Sequence, residues 1–244
     1  ELNLPKIYFQ FAQLKSGFIL VTGPTGHGKS TTLAAILEEI NRTRKEHIVT
    51  IEDPIEYIFK GKKSIITQRE LHSDTHSWEI ALRSVLREDP DVVLVGEMRD
   101  YETIAAALTV AETGHLVFAT LHTNSAAQTI ARSVDVFPEH QQEQVRMQLS
   151  NVLEAVLSQR LLPSVQGGRI PVAEVLLSTS AVRATIREGK THQIDNIIQT
   201  SSELGMMSLE ASLGAWVKQG KLSMETATAW SLRPDQLRRL VEGS

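Results

Sequence analysis

Gly23-Pro24-Thr25-Gly26-His27-Gly28-Lys29-Ser30 is a glycine, four free positions, then Gly-Lys-Ser. That spacing suits a loop that cradles phosphate. Glycines let backbone N–H groups turn inward with no Cβ in the way, Lys29 can reach the outer phosphates, and Ser30 can offer its hydroxyl to Mg²⁺. Average composition produces the pattern by chance in roughly one chain of this size in a hundred. The flanks make it more specific. Gly17-Phe18-Ile19-Leu20-Val21-Thr22 before it reads as a short buried strand, and Thr31 to Ile40 carries Leu33, Ile36, Leu37 and Ile40 at helical spacing. Strand, glycine loop, helix aims a helix N-terminus at an anion. Gly23, Thr25, Gly26, His27, Gly28, Lys29, Ser30 and Thr31 are therefore the expected nucleotide-binding set, against an ordinary Gly-rich turn.

Other strand tips carry chemistry. His47 to Glu52 is a β-branched run stopped by Pro54, which leaves Glu52, Asp53 and Glu56 at a C-terminal tip, where α/β sheets bind ligands. The bland alternative is a solvated acidic turn. Val92-Val93-Leu94-Val95-Gly96 is a continuous apolar run of the buried parallel type, ending in Glu97-Met98-Arg99-Asp100. Phosphate-loop enzymes place a carboxylate at this tip. Gly96 occupies the position that often holds Asp, so the role falls to Glu97, unless Glu97 only pairs with Arg99. His115 to Thr120 is another strand, ending in Leu121-His122-Thr123-Asn124. Its tip offers side chains that can hydrogen-bond a phosphate, with His122 the better placed histidine and His115 the weaker. His72 and His76 have a metal-binding spacing on a helix, but Ser73, Asp74 and Thr75 are loop residues and no third ligand is evident.

The remaining pattern predicts a helix over Leu2 to Leu14, a small strand over Ile65 to Gln68, and an amphipathic helix over Trp78 to Arg87. Asp100 caps a helix to about Thr113, stopped by Gly114, and Ser125 caps one to about Val134. From Pro138 a long helix is expected to reach Leu162, with Val145, Leu149, Val152, Val156 and Leu157 as its core stripe. Gly167-Gly168 turns into a last strand, Arg169 to Leu177. After Ser180 come short helices with Ser180, Thr191, Ser208 and Ser223 as caps. The expected division is 1–16 as a linker helix from an upstream domain, 17–179 as the α/β core, and 180–244 as a small helical region. Glu1, not Met, opens the chain, which fits a preceding domain.

Bulk properties narrow the classes. The 244 residues are 41% hydrophobic, enough for one sizeable core. Absence of cysteine rules out disulfides and thiolate zinc sites. No apolar run approaches the roughly 20 residues of a membrane span. Net charge −4 and 5% aromatic content argue against a nucleic-acid motor, which wants a basic stripe or stacking platforms.

The ordered blocks resemble the type II/IV secretion ATPase family, in its type IV pilus retraction branch. They are residues 23–31, Thr50-Ile51-Glu52-Asp53-Pro54-Ile55-Glu56, Leu82-Arg83-Ser84 with Arg87-Glu88-Asp89-Pro90-Asp91, Gly96-Glu97-Met98-Arg99-Asp100, and Gly114 to Thr123. Ile186 to Ile194 resembles a C-terminal stretch of that branch. The resemblance implies an α/β RecA-like P-loop core with a parallel-rich sheet. It also implies a six-membered ring of identical subunits with ATP at each junction, and Mg²⁺ held by Ser30 with help from Glu52. Glu97 becomes the group that activates water, and His122 the reporter of the γ-phosphate. Arg69 and Arg83 are the candidates for an arginine supplied to a neighbour's site. The implied task is ATP-driven pilus retraction at the cytoplasmic face of the inner membrane, against a pilus platform protein. Pilus extension or type II secretion, and an ATP-binding accessory role, are the alternatives. Extension and secretion relatives usually carry a four-cysteine zinc motif, which favours retraction here.

Overall fold

The computed structural model describes residue 5 and residues 7–243. The expected helix over Leu2 to Leu14 falls partly outside them; within them α1 is Ile7–Phe11. The chain centres on β1 (Gly17–Thr22), every residue of which is buried. Six further strands, β2 (His47–Glu52), β3 (Ile65–Glu70), β4 (Val92–Val95), β5 (Leu116–Leu121), β6 (Leu153–Pro163) and β7 (Arg169–Leu177), join it in the order β3-β2-β4-β5-β1-β6-β7. All neighbours pair in parallel except β6 and β7, which form an antiparallel hairpin.

A sheet buried on both faces needs apolar residues at successive positions, and β1 shows how they divide. Phe18 and Leu20 join Val49, Ile51, Val93 and Val117 on one face. There they pack under α3 (Trp78–Val85), α4 (Tyr101–Glu112), α5 (Ala126–Asp135) and α6 (Glu139–Val152). Ile19 and Val21 face the other way, against Leu33, Ile36, Leu37 and Ile40 of α2 (Lys29–Thr43). Ser77, Asp100 and Ser125 cap α3, α4 and α5 through side-chain bonds to the first-turn N–H groups, as their residue types dictate.

After β7 the described chain is helical: α7 (Ser180–Arg187), α8 (Ile194–Thr200), α9 (Leu209–Lys218), α10 (Met224–Trp230) and α11 (Pro234–Glu242). Leu209, Leu213, Leu222, Ala227 and Leu237 close a separate cluster over Leu162, Ile170 and Val172 of the hairpin. Caps fall on Ser208 and Ser223 as expected, but on Thr179 rather than Ser180. Thr191 lies inside a 3₁₀ turn instead of capping.

One element departs outright. The helix expected from Pro138 to Leu162 stops at Val152, and Leu153–Pro163 is strand β6. Val156 and Leu157 therefore belong to the sheet and not to a helical stripe. A fully buried strand and a buried helix segment share the same unbroken apolar signature. Pairing with β1 on one side and β7 on the other decides the conformation. Among the described residues no helix is long and apolar enough to cross a membrane.

Candidate functional site

Parallel strands end together, so β1, β2, β4 and β5 deliver their C-terminal residues to one edge of the sheet. A cleft of about 530 Å³ opens there, lined by the glycine loop, the start of α2, and the tips of β2, β4, β5 and the β6–β7 hairpin. Thr25, Gly26, Gly28, Lys29, Ser30, Thr31, Glu52, Glu97 and His122 all line it. The loop's entry depends on Gly23. Its φ is 137°, and a Cβ there would sit 2.1 Å from the Gln159 carbonyl oxygen of β6.

Lys29, Glu97 and His122 form one polar chain. Lys29 Nζ donates to the carbonyl oxygens of Gly23 (2.8 Å) and Pro24 (3.0 Å) and lies 3.5 Å from His122 Nδ1. The other ring nitrogen of His122 lies 3.0 Å from Glu97 Oε1. Arg99 donates to Glu97 Oε2 at 2.7 Å. That hydrogen bond, with the positive field of His122 and Lys29 behind it, holds the Glu97 carboxyl below the ordinary carboxylate range despite partial burial. Glu97 thus makes the Arg99 ion pair and faces the cleft at once. Burial lowers the Lys29 ammonium pKa, while Glu97 and Glu56 pull it back up.

At the β2 tip, Glu52 is buried and accepts from the Thr50 hydroxyl (2.6 Å) and the Gln68 amide (3.2 Å). Burial pushes its carboxyl above the usual range. Ser30 donates to Glu56 at 2.7 Å, and Thr31 pairs with the Tyr57 hydroxyl at 2.7 Å. Gly96 packs tightly, since a Cβ there would come 3.1 Å from the β2 backbone at Ile51 and Glu52.

Other expected residues are placed elsewhere. The His27 ring turns away from the cleft: its Nδ1 accepts from the Leu161 N–H at 3.0 Å, and its ring lies 5.4 Å from that of Trp230. Arg69 pairs with Glu88 (2.8 Å) and donates to Ser84, while Arg83 pairs with Glu79 (2.7 Å) and is 77% exposed. Neither lines the cleft, whose arginines are Arg99 and Arg169. Arg169, Leu161 and Gln159 were not anticipated as site residues. Arg169 carried no signal in the sequence: only the antiparallel pairing of β7 with β6, a segment expected to be helical, brings it to this edge. Leu161 and Gln159 were hidden by the helical assignment of their segment.

A mainly parallel sheet whose central strand runs through a glycine loop into a helix N-terminus defines a phosphate-loop α/β protein of RecA-like architecture. Comparison with known proteins narrows the class. Residues 4–167 match the model of the family described as Type II/IV secretion system protein. The chain is 52% identical to the type IV pilus ATPase PilT of Pseudomonas aeruginosa over 93% of its length, and 55% identical to a twitching motility protein of Neisseria gonorrhoeae over 93%. It spans 66% and 61% of those two proteins. The crystal structure of the pilus retraction motor PilT with bound ADP superposes with a TM-score of 0.92 at 52% identity, covering 98% of this chain and 68% of that one. The Legionella pneumophila ATPase DotB superposes with a TM-score of 0.85 at 29% identity, covering 93% and 63%. The chain belongs to the type II/IV secretion system protein family.

Proposed function

We propose that this chain is the ATP-hydrolysing part of a hexameric motor that retracts type IV pili. The observation that carries the proposal is the convergence of Lys29, Glu97 and His122 on one cleft beside the glycine loop. The likeness to PilT, whose crystal structure holds ADP, and to the twitching motility protein supports it.

Phosphoryl transfer asks a protein for positioning and charge neutralisation more than covalent chemistry. The N–H groups of residues 25–30 and Lys29 hold the phosphates, with Lys29 exchanging the Gly23 and Pro24 carbonyls for phosphate oxygens. Glu97, held in its ionised form by Arg99, orients a water and takes its proton. His122 bridges Glu97 and Lys29 and so feels the outermost phosphate. The donor set suits Mg²⁺: a Ser30 hydroxyl with the Glu52 and Glu56 carboxylates nearby, all hard oxygens, and no protein cage, so the ion would keep waters and phosphate oxygens. Ser30 would hold it, with Glu52 acting through water, and bound there it would neutralise charge on the transferring phosphate.

Arg69 or Arg83 of a neighbouring subunit completes the site. Neither lines the cleft of its own chain, so a role for either at a nucleotide has to be played at a neighbour's. Mixing Arg83→Ala with Glu97→Gln subunits tests this: phosphate release recovered in mixed rings, at junctions where one subunit keeps Glu97 and its neighbour keeps Arg83, supports a shared site, and no recovery opposes it. Among the described residues none after 179 lines the cleft, and we take 17–179 as the ATPase core and 180–244 as a helical region whose first part, Val182 to Met206, packs into the same hydrophobic core. In the cell the ring works at the inner face of the cytoplasmic membrane against a pilus platform protein. Deleting the gene and imaging pili decides direction. Hyperpiliated, non-twitching cells indicate retraction, and bald cells indicate extension.

A further inference from the structure

Strand β6 holds the phosphate loop from behind, and one side chain does most of it. Gln159 is 2% exposed and both ends of its amide are engaged. Its Nε2 donates to the His27 carbonyl at 2.9 Å, and its Oε1 accepts from the Thr32 hydroxyl of α2 at 2.8 Å. The orientation of the amide follows from chemistry: a carbonyl can only accept, so the NH₂ end faces His27. The adjoining Leu161 N–H holds the His27 ring at 3.0 Å.

The bond to His27 fixes a peptide plane. A trans peptide points its C=O and its N–H to opposite sides, and among the described residues the one cis bond is Asp53–Pro54. Holding the His27 oxygen toward β6 therefore turns the Gly28 N–H away from β6. Gly28 lines the cleft and caps α2 in a left-handed conformation, φ 79°. A Cβ at Gly28 would come 3.1 Å from the Gln159 amide nitrogen, so the two groups are in close register.

We propose that Gln159 is a positioning residue for nucleotide binding: it locks the His27–Gly28 peptide so that the Gly28 N–H is presented to phosphate. It never touches the nucleotide. The inference rests on the nucleotide-binding function proposed above and adds the device that pre-orients one of its donors. Losing that orientation weakens phosphate binding equally in the ground and transition states, so KM rises while kcat stays close to the parent's.

The test uses full-length protein, with ADP, ATP and tripolyphosphate as probes. Gln159→Met keeps the side chain's length and removes its donor and acceptor. Its dissociation constants for all three probes are expected to rise about tenfold, the size of one charge-assisted hydrogen bond, with KM rising in step and kcat within about twofold of the parent. A packing defect would instead lower kcat or the active fraction at unchanged affinity. Gln159→Glu adds a signature that packing does not produce. As a carboxylate it cannot donate to the His27 oxygen, but when protonated it can. Its affinity defect should shrink as pH falls, while that of Gln159→Met stays constant relative to the parent. Thr32→Val, which frees the amide to rotate, should show a smaller loss of the same kind and decides the matter if Gln159→Met does not fold. Unchanged affinity in Gln159→Met, or in Thr32→Val where that variant decides, overturns the proposal. So does a Gln159→Glu defect that is independent of pH. Lys29→Ala runs alongside: a parent that binds no nucleotide, or a Lys29→Ala that binds as the parent does, brings down the nucleotide site itself. Parent binding lost in Lys29→Ala but kept in Gln159→Met removes only the role of Gln159.

Discussion

Glu174→Gln is expected to stabilise the protein, by an amount that grows with pH. Glu174 lies on β7 and is 3% exposed. One carboxylate oxygen accepts the Ala126 N–H at 2.6 Å, in the first turn of α5. Burial is the largest influence on this carboxyl and moves its pKa from 4.5 to about 7, opposed by the Ala126 N–H and reinforced by Asp195 and Glu210. Between those two values the native state keeps a proton that the unfolded chain releases. Stability therefore falls as pH rises through that window, by up to ~1.4 kcal/mol per pH unit and about 3 kcal/mol in all, and the loss is complete once pH passes the folded value. Glutamine cannot ionise, and its amide oxygen can still accept from Ala126. Variant and parent should match near pH 4 and differ by about 3 kcal/mol at pH 8, on the order of 10 °C in melting temperature for a chain of this size. Urea unfolding of both proteins at pH 5, 6, 7 and 8 measures the difference directly. A constant offset across that range, or a variant less stable at pH 8, refutes the assignment of a buried, proton-holding carboxyl.

Other substitutions probe the cleft. Lys29→Ala should abolish or severely weaken nucleotide binding, measured by titration with a fluorescent ADP analogue; unaltered binding would overturn the phosphate-loop assignment. Glu97→Gln should still bind ATP while phosphate release falls by roughly 10²–10⁴-fold, and normal turnover would remove Glu97 from its role. Arg99→Ala takes away the hydrogen bond that depresses the Glu97 pKa, so that pKa should rise and the acidic limb of the kcat/KM profile should move to higher pH; a shift to lower pH, or none, contradicts the pairing. Gly23→Ala drives a methyl to 2.1 Å from the Gln159 carbonyl at a left-handed φ, and should cost about 1–3 kcal/mol in thermal or urea unfolding.

What the sequence disclosed and what it concealed divide along a physical line. The glycine loop, the strand before it and the carboxylates and histidine at the β2, β4 and β5 tips were legible because each signal is local. A glycine spacing, a β-branched run and a proline or glycine stop each fit within ten residues, and parallel strands then bring their tips to one edge without further information. Strand β6 was not legible. Leu153 to Leu162 has no glycine or proline to separate it from α6, and its apolar pattern serves helix and strand alike. Its conformation is set by β1, more than a hundred residues upstream, and by β7. Everything that β6 contributes was lost with it: the Gln159 amide behind the loop, the Leu161 N–H on His27, and the true direction of the His27 ring, which a glycine-loop pattern treats as a free position. Arg69 and Arg83 show the same limit from the other side. They were singled out by resemblance, and within one chain each has a carboxylate partner away from the cleft. A residue that acts across a subunit boundary leaves no mark in the geometry of its own chain. The part of this site that lies within one chain was therefore readable from motifs, its supporting strand needed the fold, and the arginine proposed to act in trans is tested only with a second subunit. For that reason the subunit-mixing experiment, and not any single-chain measurement, tests the motor proposal at its most specific point.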